Sequence, residues 1–192
     1  MPILGTVASQ FAGKPFSSFE SIAPLTVSSG GNSYVEFTSI PSTYKHLQIR
    51  AFAQTNRATY PFEEMRMTFN GDTANNYSWH NLDGDGGSIY VNGAGANQTH
   101  IQMDQAGTTT GGTFGALVMN ILDYESTSKT KTIKALAGAM SNAEYGGYYG
   151  IVSLNSGNWR NTSAITTIRI RPAFSSLFTQ HSKFALYGIK GV

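Results

Sequence analysis

Four histidines, His46, His80, His100 and His181, offer the most direct acid–base or metal chemistry in this chain of 192 residues. No two stand at the H-x-x-x-H spacing that brings two imidazoles to one metal. Each therefore reads as a surface or internally satisfied histidine. Asp83-Gly-Asp85-Gly-Gly87 carries the alternate carboxylates that can wrap a hard cation. Gly87 occupies the place of the third ligand, and no distal bidentate Glu follows, so a plain turn is expected. Glu63-Glu64 and the pair Asp123/Glu125 raise the paired carboxylates of glycoside hydrolysis. Adjacent acids on a strand point to opposite faces, however, and acids flanking a turn are solvated. A G-x-S-x-G elbow is absent, and the Gly-rich loops lack the Lys-Ser/Thr ending of a phosphate loop. Cysteine is absent, which excludes disulfides, thiolate metal sites and cysteine nucleophiles. The expectation is a non-enzyme with no catalytic residue, no metal and no cofactor.

The aromatic residues are the better candidates for recognition. Tyr77, Trp79, Tyr90, Tyr145, Tyr148, Tyr149 and Trp159 lie in or beside polar, Gly/Asn-rich segments. Rings of this kind with Asn neighbours can stack on sugars or form subunit contacts. Tyr77, Trp79, Tyr148, Tyr149 and Trp159 are the residues singled out for glycan or subunit contact; core packing is the alternative for each. Three sequons, at Asn76, Asn97 and Asn161, are expected to be idle, since no secretory signal is expected.

Composition narrows the class. Apolar residues make up 40% of the chain and can supply a core, whereas charged residues make up only 12%. That is about half the usual share of roughly 25%. The surface must then be built from Ser, Thr, Asn, Gln and Gly. Net charge is +2 with no Lys/Arg block, so no nucleic-acid footprint is indicated. No apolar run approaches the ~20 residues of a membrane helix, and no membrane partner is expected.

The elements that must position these residues are strands. The clearest begins after Ser39-Ile-Pro-Ser-Thr43. From Lys45 onward Leu47, Ile49, Ala51 and Ala53 alternate with His46, Gln48 and Arg50, which predicts a long strand near the middle of an antiparallel sheet. Phe52 on the polar side suggests cover there too. Pro24–Val27 and Ser33–Thr38, separated by Ser28-Ser-Gly-Gly-Asn32, read as a hairpin. Further strands are expected at 64–69, 75–82, 88–91, 98–103, 113–124, 130–138, 146–154, 164–171 and 183–189. Asn92–Ala96 reads as a loop, and Asn155–Asn161 as a turn cluster around Trp159. The run 113–124 is apolar on both parities and reads as a strand covered on both faces. Turn clusters recur and no amphipathic helix is convincing. The pattern predicts an all-β, antiparallel, jelly-roll-like β-sandwich. Its single domain is expected to span 24–192, behind an N-terminal docking arm at 1–23 with Phe11, Phe16 and Phe19 as subunit anchors; a terminus folded over its own domain is the alternative.

Several phrases are similar to those of a known family. They are Met1-Pro-Ile-Leu-Gly-Thr-Val-Ala-Ser9, Phe37-Thr-Ser-Ile-Pro-Ser-Thr-Tyr-Lys-His-Leu-Gln-Ile-Arg50, Met67-Thr-Phe-Asn-Gly-Asp72 with Asn76-Tyr-Ser78, and Phe184-Ala-Leu-Tyr-Gly-Ile-Lys-Gly191. Over most of its length the chain resembles small structural proteins of tailed bacteriophages, including phages of cyanobacteria and other marine bacteria. The resemblance implies a β-sandwich located in the virion, either a capsid decoration (cement) or head-fibre protein or part of a tail fibre or baseplate. It implies no catalytic residues. The expected partners are further copies of the chain, as a homotrimer, and other virion proteins such as major capsid or tail proteins. A tail-fibre or baseplate module recognising host glycan is the alternative.

Overall fold

The computed structural model describes residues 18–145 and 147–191, without the side chains at 143, 145 and 148. Among the described residues there are twelve strands and no helix: β1 (Phe19–Thr26), β2 (Val35–Phe37), β3 (His46–Thr55), β4 (Phe62–Phe69), β5 (Tyr77–Gly84), β6 (Ile89–Gln98), β7 (Ile101–Thr108), β8 (Gly115–Leu122), β9 (Lys131–Tyr145), β10 (Tyr148–Trp159), β11 (Ile168–Pro172) and β12 (Lys183–Ile189). They form two layers. The large layer is antiparallel, in the order β1-β12-β3-β8-β9-β10-β5-β6. The small layer is β2-β11-β4-β7. The last two residues of β3 turn into the small layer and pair in parallel with β7, so one continuous, unclosed mixed sheet folds over on itself. The fold is all-β and sandwich-like, as the alternation predicts.

β3 lies between β12 and β8 in the large layer. Leu47, Ile49, Ala51 and Ala53 are all buried. They meet Met65, Met67 and Phe69 of β4 and Ile101 and Met103 of β7 in one hydrophobic core. Two glycines set how closely the layers meet. A Cβ on Gly115 would stand 2.3 Å from the Gln105 carbonyl oxygen, and one on Gly157 would stand 2.7 Å from the Ile101 side chain. Lys131 is buried as well; its Nζ donates to the carbonyls of Ser126 (2.7 Å), Lys129 (2.7 Å) and Thr162 (3.0 Å).

Some local expectations are corrected. Ser28–Asn32 does not close a hairpin: β1 pairs with β12 and β2 with β11. Residues 19–23, expected in the arm, are the first part of β1 and are hydrogen-bonded into the large layer. Asn92–Ala96 continues β6, and Asn155–Trp159 continues β10. β8 is covered on one face only: Ala116 and Val118 are exposed. Phe52, beside them, is 60% exposed rather than covered.

Candidate interaction surface

The outer face of the large layer carries one continuous apolar row. The register aligns Val118 of β8 with Leu136 of β9, Leu136 with Leu154 of β10, Leu154 with Leu82 of β5, and Leu82 with Val91 of β6. Paired residues in a sheet share a face, so five apolar side chains stand side by side across about 19 Å, at ~4.8 Å per strand. They are between 41% and 79% exposed. The next row outward is Phe52, Ala116, Gly138, Val152, Gly84 and Ile89. The row on the other side is polar: Gln48, Asn120, Lys134, Ser156 and His80. There Gln48 donates to Asn120 at 2.9 Å, and Arg50 donates to Gln48 at 2.7 Å.

The sheet is curved, and the row lines a groove of about 890 Å³ between β6 and β8. At one end the Arg50 guanidinium lies over the rings of Tyr187 and Phe19, 5.0 and 5.6 Å from their centroids. At the other end β6 closes the layer. β6 is exposed or half-exposed at every position. Among the described residues it pairs with β5 alone, which leaves the outer edge of a ten-residue uncharged strand open. Native edge strands usually carry charges, Pro or bulges that block further pairing; β6 has one such irregularity, between Ala94 and Gln98, and pairs regularly over Ile89–Ala94.

The sequence-derived candidates are dispersed. Phe11 and Phe16 lie outside the described residues, and so does the side chain of Tyr148. Phe19 sits in β1 against Arg50 and is 40% exposed. Tyr77 and Trp159 are core residues, stacked on one another with centroids 6.2 Å apart and packed with Phe69. Tyr77 donates to the Asp72 carbonyl and accepts from the Phe69 N–H. Trp79 is half-buried against the core. Tyr149 and Tyr90 are exposed, like Phe19, and the Tyr149 hydroxyl donates to Glu144 at 3.4 Å.

The histidines, and the acids Glu63, Asp85 and Asp123, are each held in separate local contacts. Glu63 is buried and accepts from Thr55, from the Phe174 N–H (3.0 Å) and from Ser176 (2.7 Å), which fastens the loop before β12 to the sheet. Burial raises the pKa of its neighbour Glu64. Asp123 pairs with Lys129 and Lys45, which hold its carboxyl below the usual range. His46 accepts from the Asp123 N–H at 3.0 Å, and His80 lines the groove. Burial, with Arg66 and Arg171 nearby, lowers His100 to about 4. His181 sits in a left-handed turn at φ 73°. Asp85 is a turn former: its carboxylate accepts from the N–H groups of Gly87 and Ser88 and from Tyr90. The chain matches no protein-family model and no curated protein.

The apolar row was not singled out from the sequence. Its signal was there: 113–124 is apolar on both parities, as a strand covered on both faces would be. The second cover is not supplied by the described residues of this chain.

Proposed function

We propose that the chain is a non-enzymatic structural subunit of a tailed bacteriophage particle, a capsid decoration protein that assembles with copies of itself, as a homotrimer, through the outer face of the large layer. The observation that carries this reading is the row from Val118 to Val91. With Phe52, Ile89, Met140 and Val152, it presents on the order of 900 Å² of surface, beyond the usual patch on a monomer and close to one side of a standard protein–protein interface. The open edge of β6 is continuous with that face and offers backbone hydrogen bonds to the same partner. Low charge favours a large buried contact, since few ions need desolvating. The virion context rests on the resemblance of the sequence to phage structural proteins, and the association stabilises by burial of apolar surface at roughly 25 cal/mol per Å² before the entropic cost.

The glycan-recognition alternative draws less support. Tyr77 and Trp159 have no face in solvent, and the groove, lined by the aliphatic row with His80, Asn120, Lys134 and Ser156 beside it, holds no Tyr or Trp. Immunogold labelling of intact particles of the phage that encodes the chain tests the reading. Label over the head is expected. Label confined to the tail tip supports the alternative, and particles without label overturn both.

A further inference from the structure

Beneath the groove, on the inner face of the same strands, lies a polar cluster. Asn81 and Asp83 of β5 pair across the sheet with Asn155 and Ser153 of β10. All four are more than nine-tenths buried. The small layer supplies a fifth member. Between Glu63/Ala106 and Met65/Met103 the register of β4 and β7 shifts, so that Asp104 and Gln105 stand opposite Glu64 alone. An extra residue of this kind re-aims the side chain that carries it, and Asp104 is turned into the sandwich with 2% exposure. Its carboxylate accepts from the Asn81 amide, and its N–H donates to Asn155 Oδ1 at 3.1 Å.

Those two bonds do not complete the cluster. Asn81 Oδ1, Asp83 Oδ1, Asp104 Oδ1, Ser153 Oγ and Asn155 Nδ2 are buried with no hydrogen-bond partner. Four of the five atoms are oxygens, and two belong to carboxylates. The charged side chains that act on Asp104, Asp83 and Glu64, are acids too. Buried acceptors in excess of donors require a proton or a cation.

We propose that Asn81, Asp83, Asp104 and Ser153 hold a hard divalent cation of the calcium type inside the sandwich. The donor set is all oxygen, the preference of such ions, and two carboxylates balance the charge. No three His, Asp or Glu side chains gather as a metal group among the described residues; this site takes two carboxylates and draws its other ligands from an amide and a hydroxyl. Calcium takes about six to eight oxygens, so water completes the shell and gives the Asn155 amide an acceptor. Asp85 is outside the site, its carboxylate already engaged in the β5–β6 turn. The ion ties β7 of the small layer to β5 and β10 and so braces the floor of the groove.

The test uses the full chain, dialysed against chelator and titrated with Ca²⁺ at neutral pH. Calorimetry on the wild type is expected to give one saturable site per chain. The melting temperature is expected to rise by at least about 5 °C at a hundredfold excess over Kd. Asp83→Asn and Asp104→Asn should each lose that rise, and Asp85→Ala should keep it. Trp79 stands two residues from Asn81 on the same strand face, about 7 Å along the chain. Tb³⁺ bound in the cluster should therefore glow on indole excitation, and Trp79→Phe should lose the glow but keep the Ca²⁺-induced rise. A wild type that neither binds nor is stabilised by Ca²⁺, Mg²⁺ or Mn²⁺ overturns the proposal: the cluster is then closed by protons and water. Binding that survives both Asp substitutions, or that vanishes with Asp85→Ala alone, overturns it too. If the Asp variants do not fold, the wild-type stoichiometry and the Trp79 dependence of the Tb³⁺ signal decide.

Discussion

The indole of Trp159 donates to Asp72 Oδ2 at 2.7 Å, joining residues 87 apart in sequence. Asp72 belongs to the turn in which Asn70 and Gly71 both take positive φ and the Asp72 N–H returns to the Phe69 carbonyl at 2.8 Å. Its other oxygen accepts from the Ala74 N–H. Desolvation alone would raise the Asp72 pKa, but hydrogen bonds from Asn76, Ala74 and Trp159 outweigh it and hold the carboxyl low. Asp72→Ala leaves a buried indole N–H unpaired and releases the turn. We expect a loss of about 1–3 kcal/mol, read as a lower urea midpoint at unchanged slope. Trp159→Ala removes the largest core side chain and should cost more, about 3–5 kcal/mol.

Lys131 acts as an internal clamp. Burial lowers its pKa, and Asp123 and Glu125 oppose that, but its three carbonyl partners do not depend on either acid. Lys131→Met keeps the aliphatic stem and orphans the carbonyls of Ser126, Lys129 and Thr162. The expected loss is about 1–3 kcal/mol, with hydrogen exchange quickening first in the 123–131 turn. A neutral result would mean that water replaces the ammonium there.

The local pattern was readable wherever alternation is sustained. Leu47, Ile49, Ala51 and Ala53 announce β3 because apolar residues recur at every second position there, and all four are buried. Asn92-Gly-Ala-Gly-Ala96 carries no such signal: small residues do not record a face, and β6 extends because β5 offers it an edge. Trp159 looked like a loop aromatic because its neighbours are Gly, Asn and Arg, yet its ring fills the space above Phe69. The Ser28–Asn32 turn is real, but the partners of its flanking strands come from the far end of the chain, which a local pattern cannot announce. The same holds for the polar cluster, where β5, β7 and β10 bring together residues of unremarkable local setting.

His100 sets an acid-side limit on stability. Burial first, and then Arg66 and Arg171, depress its pKa from 6.5 to about 4. The unfolded chain therefore binds the proton more readily between these values. Its contribution to stability is present above about pH 6.5 and is lost as pH falls toward 4. His100→Gln should flatten the melting temperature across that window and leave it unchanged at pH 8. An equal acid-side fall in the variant would assign the effect to other groups.

Two glycines make opposite predictions. A Cβ on Gly115 meets the Gln105 carbonyl at 2.3 Å and the Gly107 nitrogen at 2.8 Å, both backbone atoms that cannot swing away. Gly115→Ala must push β8 from β7, at about 1–3 kcal/mol or more. Gly95 in β6 has nothing within 4 Å of its virtual Cβ, and Gly95→Ala should be neutral or stabilise by about 0.5 kcal/mol. Thermal melts of the two variants side by side check the contrast.

Leu136 stands at the middle of the apolar row, 53% exposed, between Val118 and Leu154. In an isolated subunit a charge there stays in water, so Leu136→Lys should change the stability of the monomer by no more than about 0.5 kcal/mol. In an assembly closed over the row, the ammonium is stripped of water with no acid beside it. A penalty of about 3 kcal/mol weakens association more than a hundredfold, since ~1.4 kcal/mol is a factor of ten. Light scattering across a dilution series should show the wild type as a multimer and the variant as a single chain with an unchanged far-ultraviolet spectrum. Lys134→Leu, one step along β9 in the polar row, extends the apolar surface and should tighten association. A wild type that stays monomeric at every concentration, or a Leu136→Lys chain that unfolds like a core mutant, would remove the row as the assembly surface.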